Sequence, residues 1–139
     1  MSIFEPASQP TRDKFLAVLR IVAGAVFISA GTMKLFGYPA SPQPMPPFAL
    51  MSQLGIAGIL EVFGGLAIVL GILTRPVAFI LSGEMAVAYF LGHFPNGFFP
   101  MVNGGIGALL FCFIFLYLSA AGAGAWSLDA AISSARKSP

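Results

Sequence analysis

The chain has 139 residues, of which 58% are hydrophobic and 9% are charged, and its mean hydropathy is +0.90. A soluble domain carries about 45–50% apolar and about 25% charged residues, and a chain this short has too little interior to bury such an excess. The composition excludes a soluble globular domain, a disordered tail and a secreted disulfide scaffold, and the net charge of +2 excludes a nucleic-acid-binding surface. A small integral membrane protein in contact with the lipid bilayer is predicted.

Four apolar stretches have about the length of a membrane span, which is about 20 residues for a helix. The first follows Arg12 and Lys14 as a signal peptide would, but it is longer than the apolar region of a signal peptide, so we expect an uncleaved transmembrane helix. The pattern predicts an all-α, membrane-embedded four-helix bundle forming a single domain over residues 1–139. The predicted spans are about 15–36, 50–73, 76–93 and 101–121.

The connections between the spans contain residues that favour turns and membrane interfaces. Five prolines lie between residues 38 and 47, where a helix cannot continue, and the short connection at Thr74-Arg75-Pro76 makes the second and third spans antiparallel neighbours. An even number of spans places both termini on one side, and the positive-inside rule makes that side cytoplasmic. A bacterial inner membrane is therefore expected. The basic residues on that side are Arg12, Lys14, Arg75, Arg136 and Lys137.

Ionisable residues within the spans are the main candidates for function. Glu61 and Glu84 lie near the centres of the second and third spans, where a charge costs several kcal/mol unless it faces the bundle interior with a partner. Arg20 and Lys34 share one face of the first span. The simplest inference is that two cations and two carboxylates lie in one bundle interior and form a neutral set.

Asn103 enters the fourth span ahead of two glycines, a position that favours a helix cap over a ligand contact. Three interpretations of the polar residues stay open: a purely structural cluster, a site for a quinone, a proton or another small molecule, and a helix-packing role in an oligomer. The candidate intramembrane site consists of Arg20, Lys34, Glu61, Glu84 and Asn103.

The remaining chemistry-bearing residues are few. Cys112 lies in an apolar run, which indicates packing rather than reactivity, and His93, at the outer end of the third span, indicates an interfacial position. One histidine and one cysteine supply too few ligands for zinc. The sequence has no phosphate-binding loop or catalytic triad, so catalytic residues stay unassigned, and neither a metal site nor a cofactor within the chain is expected.

Five sequence motifs occur in order between residues 20 and 129. Together they resemble the DoxX family of small four-helix membrane proteins. Two positions differ from the family pattern, because Ile106 stands where members often carry an acid and Ala30 where many carry a histidine. The motifs are Gly31-Thr-Met-Lys-Leu-Phe-Gly37 with Arg20 upstream, Glu61-Val-Phe-Gly-Gly65 running on to Thr74-Arg75-Pro76, Gly83-Glu84 running on to His93-Phe94-Pro95, Asn103-Gly-Gly105, and Gly122-Ala-Gly124 leading to Asp129.

The resemblance implies an accessory subunit of a quinone-linked membrane redox system, at most a subunit of an oxidoreductase. In that role Glu61 and Glu84 would handle protons, Arg20 and Lys34 would set their charge or bind a quinone oxygen, and a redox partner protein or diffusible quinone would supply electrons. Two alternatives stay open. One is a small proton-coupled transporter acting as a homo-oligomer, and the other is a structural or assembly protein without catalytic activity.

Overall fold

The computed structural model describes residues 3–137, and every regular element in that range is helical, which confirms the predicted all-α class. After Ala88 the third long helix continues through a π-helical turn, Tyr89–His93, and a 3₁₀ turn, Phe94–Asn96. In chain order the helices are α1 (Gln9–Phe36), α2 (Gln53–Leu70), α3 (Thr74–Ala88), α4 (Pro100–Asn103), α5 (Ile106–Ala121) and α6 (Leu128–Lys137).

Three helices are long and apolar enough to cross a membrane, namely Gln9–Phe36, Gln53–Leu70 and Thr74–Asn96. The fourth apolar helix, α5, has 16 residues. At 1.5 Å per residue it is about 24 Å long, somewhat less than the hydrocarbon thickness of about 30 Å. The short helix α4 lies directly before the start of α5.

The bundle consists of two helix pairs. α1 packs along α2, α3 packs along α5, and the pairs meet chiefly between α2 and α3. Side chains from all four helices fill the centre, where Phe27 makes edge-on contacts with Phe111 and Phe115. The buried core residues are Ala23, Phe27, Ile68, Ala78, Leu81, Met85, Phe115 and Leu118. This arrangement is the predicted four-helix bundle.

Glycines bring α1 and α2 into backbone contact. A Cβ atom added to Gly24 would lie 2.7 Å from the carbonyl oxygen of Gly65, and one added to Gly31 would lie 2.7 Å from the carbonyl oxygen of Gly58. No side chain fits between the helices at these two points. Small residues at membrane helix interfaces permit such close approach.

The third helix begins two residues before the predicted start at Pro76. Asp129 explains the difference, because its carboxylate accepts hydrogen bonds from the backbone N–H groups of Leu73 and Thr74, each at 2.9 Å. This distant side chain caps a helix start that has no local cap. Pro76 then lies in the first turn, where its missing N–H costs nothing.

The fourth predicted span is interrupted rather than continuous. Gly104 has a left-handed backbone (φ 74°) that ends α4, and α5 starts only at Ile106. The Asn103 side-chain oxygen accepts a hydrogen bond from the backbone N–H of Gly105 at 2.7 Å. Asn103 therefore caps the break between two helices.

Different parts of the chain lie at the two ends of the bundle. At one end, which we call the terminal end, α1 begins and α5 ends, and the backbone N–H of Ala125 bonds the carbonyl of Asp13 at 3.0 Å. At the opposite end, which we call the loop end, lie Lys34, the Pro-rich connection and residues 89–105. The start of α1 and the end of α5 therefore lie at the same end of the bundle. The location of both chain termini on the cytoplasmic side stays a prediction.

Candidate functional site

Arg20 occupies the terminal end, where its side chain is completely buried. Its guanidinium donates hydrogen bonds to five backbone carbonyl oxygens at 2.5–3.3 Å. Two of these carbonyls end α2 and three belong to the segment after α5. Arginine supplies five N–H donors in a rigid plane, so each donor has a partner here. The acceptors are Ile68, Val69, Ala123, Ala125 and Trp126.

Asp129 completes this cluster, which we call the terminal knot and define as Arg20, Gly71, Asp129 and residues 122–127. The backbone N–H of Asp129 donates to the carbonyl oxygen of Gly71 at 2.8 Å, while its carboxylate caps α3. The knot thereby ties α1, α2 and α3 to the segment that follows α5. The guanidinium and the carboxylate of the knot both bond backbone groups of the protein, which indicates a structural role.

Lys34, in the last turn of α1, forms an ion pair with Glu61, near the middle of α2. The Lys34 ammonium donates to both carboxylate oxygens, at 2.7 and 2.6 Å. The Glu61 side chain is 4% exposed and the Lys34 side chain is 22% exposed. The structure thus brings Lys34 and Glu61 together and separates both from Arg20, so the candidate residues do not form one cluster.

Glu84 projects from α3 without a hydrogen-bonding partner. Both of its carboxyl oxygens are buried, and neither makes a hydrogen bond to any atom of residues 3–137. Glu84 is near enough to Glu61 and Lys34 for their charges to act on it. A buried polar group without a partner is costly and calls for an explanation, and a ligand that approaches Glu84 supplies one.

Lys34, Glu61 and Glu84 line one cavity, which has a volume of about 920 Å³. It extends from Glu61 and Glu84, near the middle of their helices, to Gln53 and His93 at the loop end. Apolar side chains of α2, α3 and the turn Tyr89–His93 make up most of the wall. Several of them are also exposed on the outer surface of the bundle: Leu54, Ile56, Ile80, Val87 and Leu91.

His93 lines the same cavity, which the sequence alone did not indicate. Its Nδ1 atom lies 3.2 Å from the carbonyl oxygen of Asn103. The Asn103 amide in turn donates to the carbonyl oxygen of Gly97 at 2.9 Å and to the hydroxyl of Tyr89 at 3.4 Å. Asn103 therefore holds the loop that positions His93, while the cavity wall itself does not include Asn103. Glu84 and His93 are nine residues apart, a spacing that does not place two residues on one face of a regular α-helix. The π-helical turn Tyr89–His93 lies between them, so the spacing gave no signal for this position.

The arrangement has the chemical features of a site for a lipid-soluble ligand. An ammonium paired with a carboxylate, a second carboxyl group with free hydrogen-bonding capacity and a histidine share one largely apolar cavity. Small-molecule sites are typically concave and mostly apolar, with a few polar groups that orient the ligand. Within residues 3–137 no three His, Cys, Asp or Glu side chains are placed to hold a metal ion.

Known proteins resemble most of this chain. The DoxX sequence profile matches residues 15–94. An uncharacterized protein of Haemophilus influenzae is 46% identical over 121 residues, covering 85% of this chain and 90% of that protein. The inner membrane protein YqjF of Escherichia coli K12 is 33% identical over 127 residues, covering 84% of this chain and 91% of that protein. No solved structure matches.

These matches agree with the fold. Three helices long and apolar enough to cross a membrane, together with a relative named as an inner membrane protein, confirm a multi-pass protein of the bacterial inner membrane in contact with lipid. The family profile covers more than half of the chain, and the motifs of the sequence fall at the terminal knot and around the cavity. The chain belongs to the DoxX family.

Proposed function

We propose that this protein binds the head group of a lipid-soluble quinone in the loop-end cavity and serves as an accessory subunit of a membrane redox system. The observation that carries the proposal is Glu84, which lines a cavity of about 920 Å³ and whose two buried carboxyl oxygens lack hydrogen bonds. A bound head group satisfies those oxygens, and the apolar wall accommodates the ring and the start of its tail.

The route of entry supports a ligand that arrives from the bilayer. Several cavity-lining side chains of α2, α3 and the turn Tyr89–His93 are also exposed on the outer surface, including Ile56 at 44%, Ile80 at 53% and Leu91 at 63%. In a membrane that surface faces lipid tails. A quinone therefore reaches Glu84 between α2 and α3 without crossing water.

The polar groups fit the chemistry of a quinone. Reduction of a quinone to a quinol takes up two electrons and two protons. In the proposal a redox partner protein supplies the electrons, because the protein's own side chains provide no redox group. Glu84 exchanges protons with the head group, the Lys34 ammonium donates to a quinone oxygen, and His93 lies on the path from Glu84 to the loop end.

The test is to quantify quinone that purifies with the protein in mild detergent, per mole of protein and relative to phospholipid, for the wild type and for Glu84→Gln. Glutamine keeps the size of the side chain and removes its exchangeable acid proton. Because Glu84 has no partner to lose, this variant should fold. Glu61→Gln is less informative because it also leaves the Lys34 ammonium without its ion pair.

We expect about one quinone per protein in the wild type. In Glu84→Gln we expect about tenfold less quinone per protein, because the loss of about 1.4 kcal/mol of binding free energy weakens the affinity about tenfold. Glu5→Gln is the matched control, since Glu5 is exposed and lies outside the bundle. Quinone at the lipid background in every sample would reject the proposal in favour of a structural or transport role. Equal quinone in wild type and Glu84→Gln would reject the site.

A further inference from the structure

Helix α6 has one apolar face that no other part of the described chain covers. Positions three and four apart share a helix face, and they are apolar here, whereas the opposite face carries Asp129, Ser133 and Lys137. All residues from Ala130 to Lys137 are exposed. The apolar face consists of Leu128, Ala131, Ile132 and Ala135.

The first turn of α6 is fixed at the boundary of the membrane. The Asp129 carboxylate bonds the backbone where α3 begins, and its backbone N–H bonds Gly71, where α2 ends. Trp126, just before α6, is 63% exposed, and tryptophan is enriched at the membrane–water interface. The helix therefore starts at the level of the lipid head groups.

Charge at this end of the molecule favours an anionic surface. Arg136 and Lys137 lie in the last turn of α6 and are exposed, and Arg12 and Lys14 are exposed at the start of α1. The Asp129 carboxylate bonds backbone N–H groups rather than the exposed basic side chains. Arg12 donates one hydrogen bond to the Gln9 side chain, and the basic side chains at this end are exposed where they can contact phosphate.

We propose that α6 lies in the plane of the membrane interface, with its apolar face among the upper acyl chains and Arg136 and Lys137 on the head groups of anionic phospholipids. A helix with a strongly amphipathic pattern next to a membrane adopts this position. The apolar face offers only two large side chains, Leu128 and Ile132. That is too little surface for a stable protein–protein interface, which buries about 800 Å² per partner.

The test uses the full chain in lipid nanodiscs. Cysteines are placed at Ser133→Cys and Ala135→Cys, two residues and therefore about 200° apart around the helix, in a Cys112→Ala background. Each variant carries a fluorescent label, and its quenching by a water-soluble quencher is compared with quenching by a lipid-attached quencher. If Cys112→Ala accumulates poorly, the half-buried native cysteine is retained and its own labelling is subtracted.

We expect the label at residue 135 to be quenched several-fold more by the lipid quencher, and the label at residue 133 to be quenched more by the aqueous one. Equal aqueous quenching at both positions would overturn the proposal, because α6 would then extend into water. Protection of residue 135 from both quenchers would also overturn it, because a protein surface would then cover the face.

The charge requirement is tested by adding phosphatidylglycerol to phosphatidylcholine nanodiscs. A basic residue near an anionic surface favours the bound state by about fivefold, so phosphatidylglycerol should increase lipid quenching at residue 135. Replacing both Arg136→Gln and Lys137→Gln should reduce that increase. Arg75→Gln is the control, since its guanidinium Nε donates to the Ser119 carbonyl oxygen rather than lying on α6. An unchanged response in the double variant would overturn the role of the two basic side chains.

Discussion

Arg20 and Lys34 are two cations on one face of one helix, and their surroundings give them different roles. They are separated by 14 positions, which corresponds to roughly 21 Å along a helix. Arg20 bonds only backbone carbonyls and is fully buried, whereas Lys34 pairs with a carboxylate at the edge of a cavity. One side chain therefore holds the fold together and the other belongs to the candidate site.

Arg20→Lys should reduce stability without changing ligand content. Lysine has three donors on a flexible stem, against the five planar donors that Arg20 uses, so at least two buried carbonyls would lose their partners. Each such loss costs about 1–3 kcal/mol. We expect the melting temperature in detergent to fall by several degrees, with quinone per folded protein unchanged. A normal melting temperature together with lost quinone would instead place Arg20 in a binding role.

The polar residues illustrate what sequence can reveal about the site. Helical spacing correctly predicts that Arg20 and Lys34 face the bundle interior, because side-chain direction is a local property. The partners of Arg20 were not predictable, since backbone carbonyls carry no identity in the sequence. The unpartnered state of Glu84 likewise depends on which helices surround it, and only the tertiary structure determines that.

At the scale of helices, the α1–α2 contact depends on the absence of side chains. The Gly24–Gly65 and Gly31–Gly58 approaches leave less space than a methyl group needs. This contact fixes the distance between Lys34 on α1 and Glu61 on α2, so close helix packing is a condition for their ion pair.

Gly24→Ala should force α1 and α2 apart. Its Cβ would lie 2.7 Å from the Gly65 carbonyl oxygen, and overpacking of this kind costs about 1–3 kcal/mol. Gly83→Ala on α3 is the matched control, because no atom lies within 4 Å of its added Cβ and alanine favours a helix by about 1 kcal/mol. Melting curves should show a lower transition for Gly24→Ala and an equal or higher one for Gly83→Ala. Equal stability of both variants would contradict the close contact.

Hydropathy predicts the helices well where the apolar runs are long, and less well where the chain uses special backbone geometry. The end of the first helix at Phe36 agrees with the prediction, because Gly37 adopts a left-handed conformation directly after it. The break at Gly104 was not anticipated as an interruption, since apolar residues continue on both sides of it. A hydropathy average over a window of residues does not reveal the two glycines, although the helix is interrupted there.

Considered as a whole, the molecule separates structural and candidate functional groups to opposite ends. The terminal knot joins α1, α2 and α3 to the segment after α5 through Arg20 and Asp129, with hydrogen bonds that leave its guanidinium and carboxylate occupied. The loop end keeps a cavity and a carboxyl group without a partner. In the proposed function, the ligand occupies this cavity between α2 and α3, at the end away from the terminal knot.

Filling the cavity should therefore remove the ligand without unfolding the protein. Ala57 lies on α2 in the cavity wall, so Ala57→Phe places a ring in space that the quinone needs. Because that space is already open, the ring requires little repacking, and we expect the melting temperature to change by less than that of Gly24→Ala. Ala25→Phe is the control, since Ala25 is exposed on the outer face of α1. Purified Ala57→Phe should lose most of its quinone while Ala25→Phe keeps it; full quinone content in Ala57→Phe would mean that the ligand binds outside this cavity.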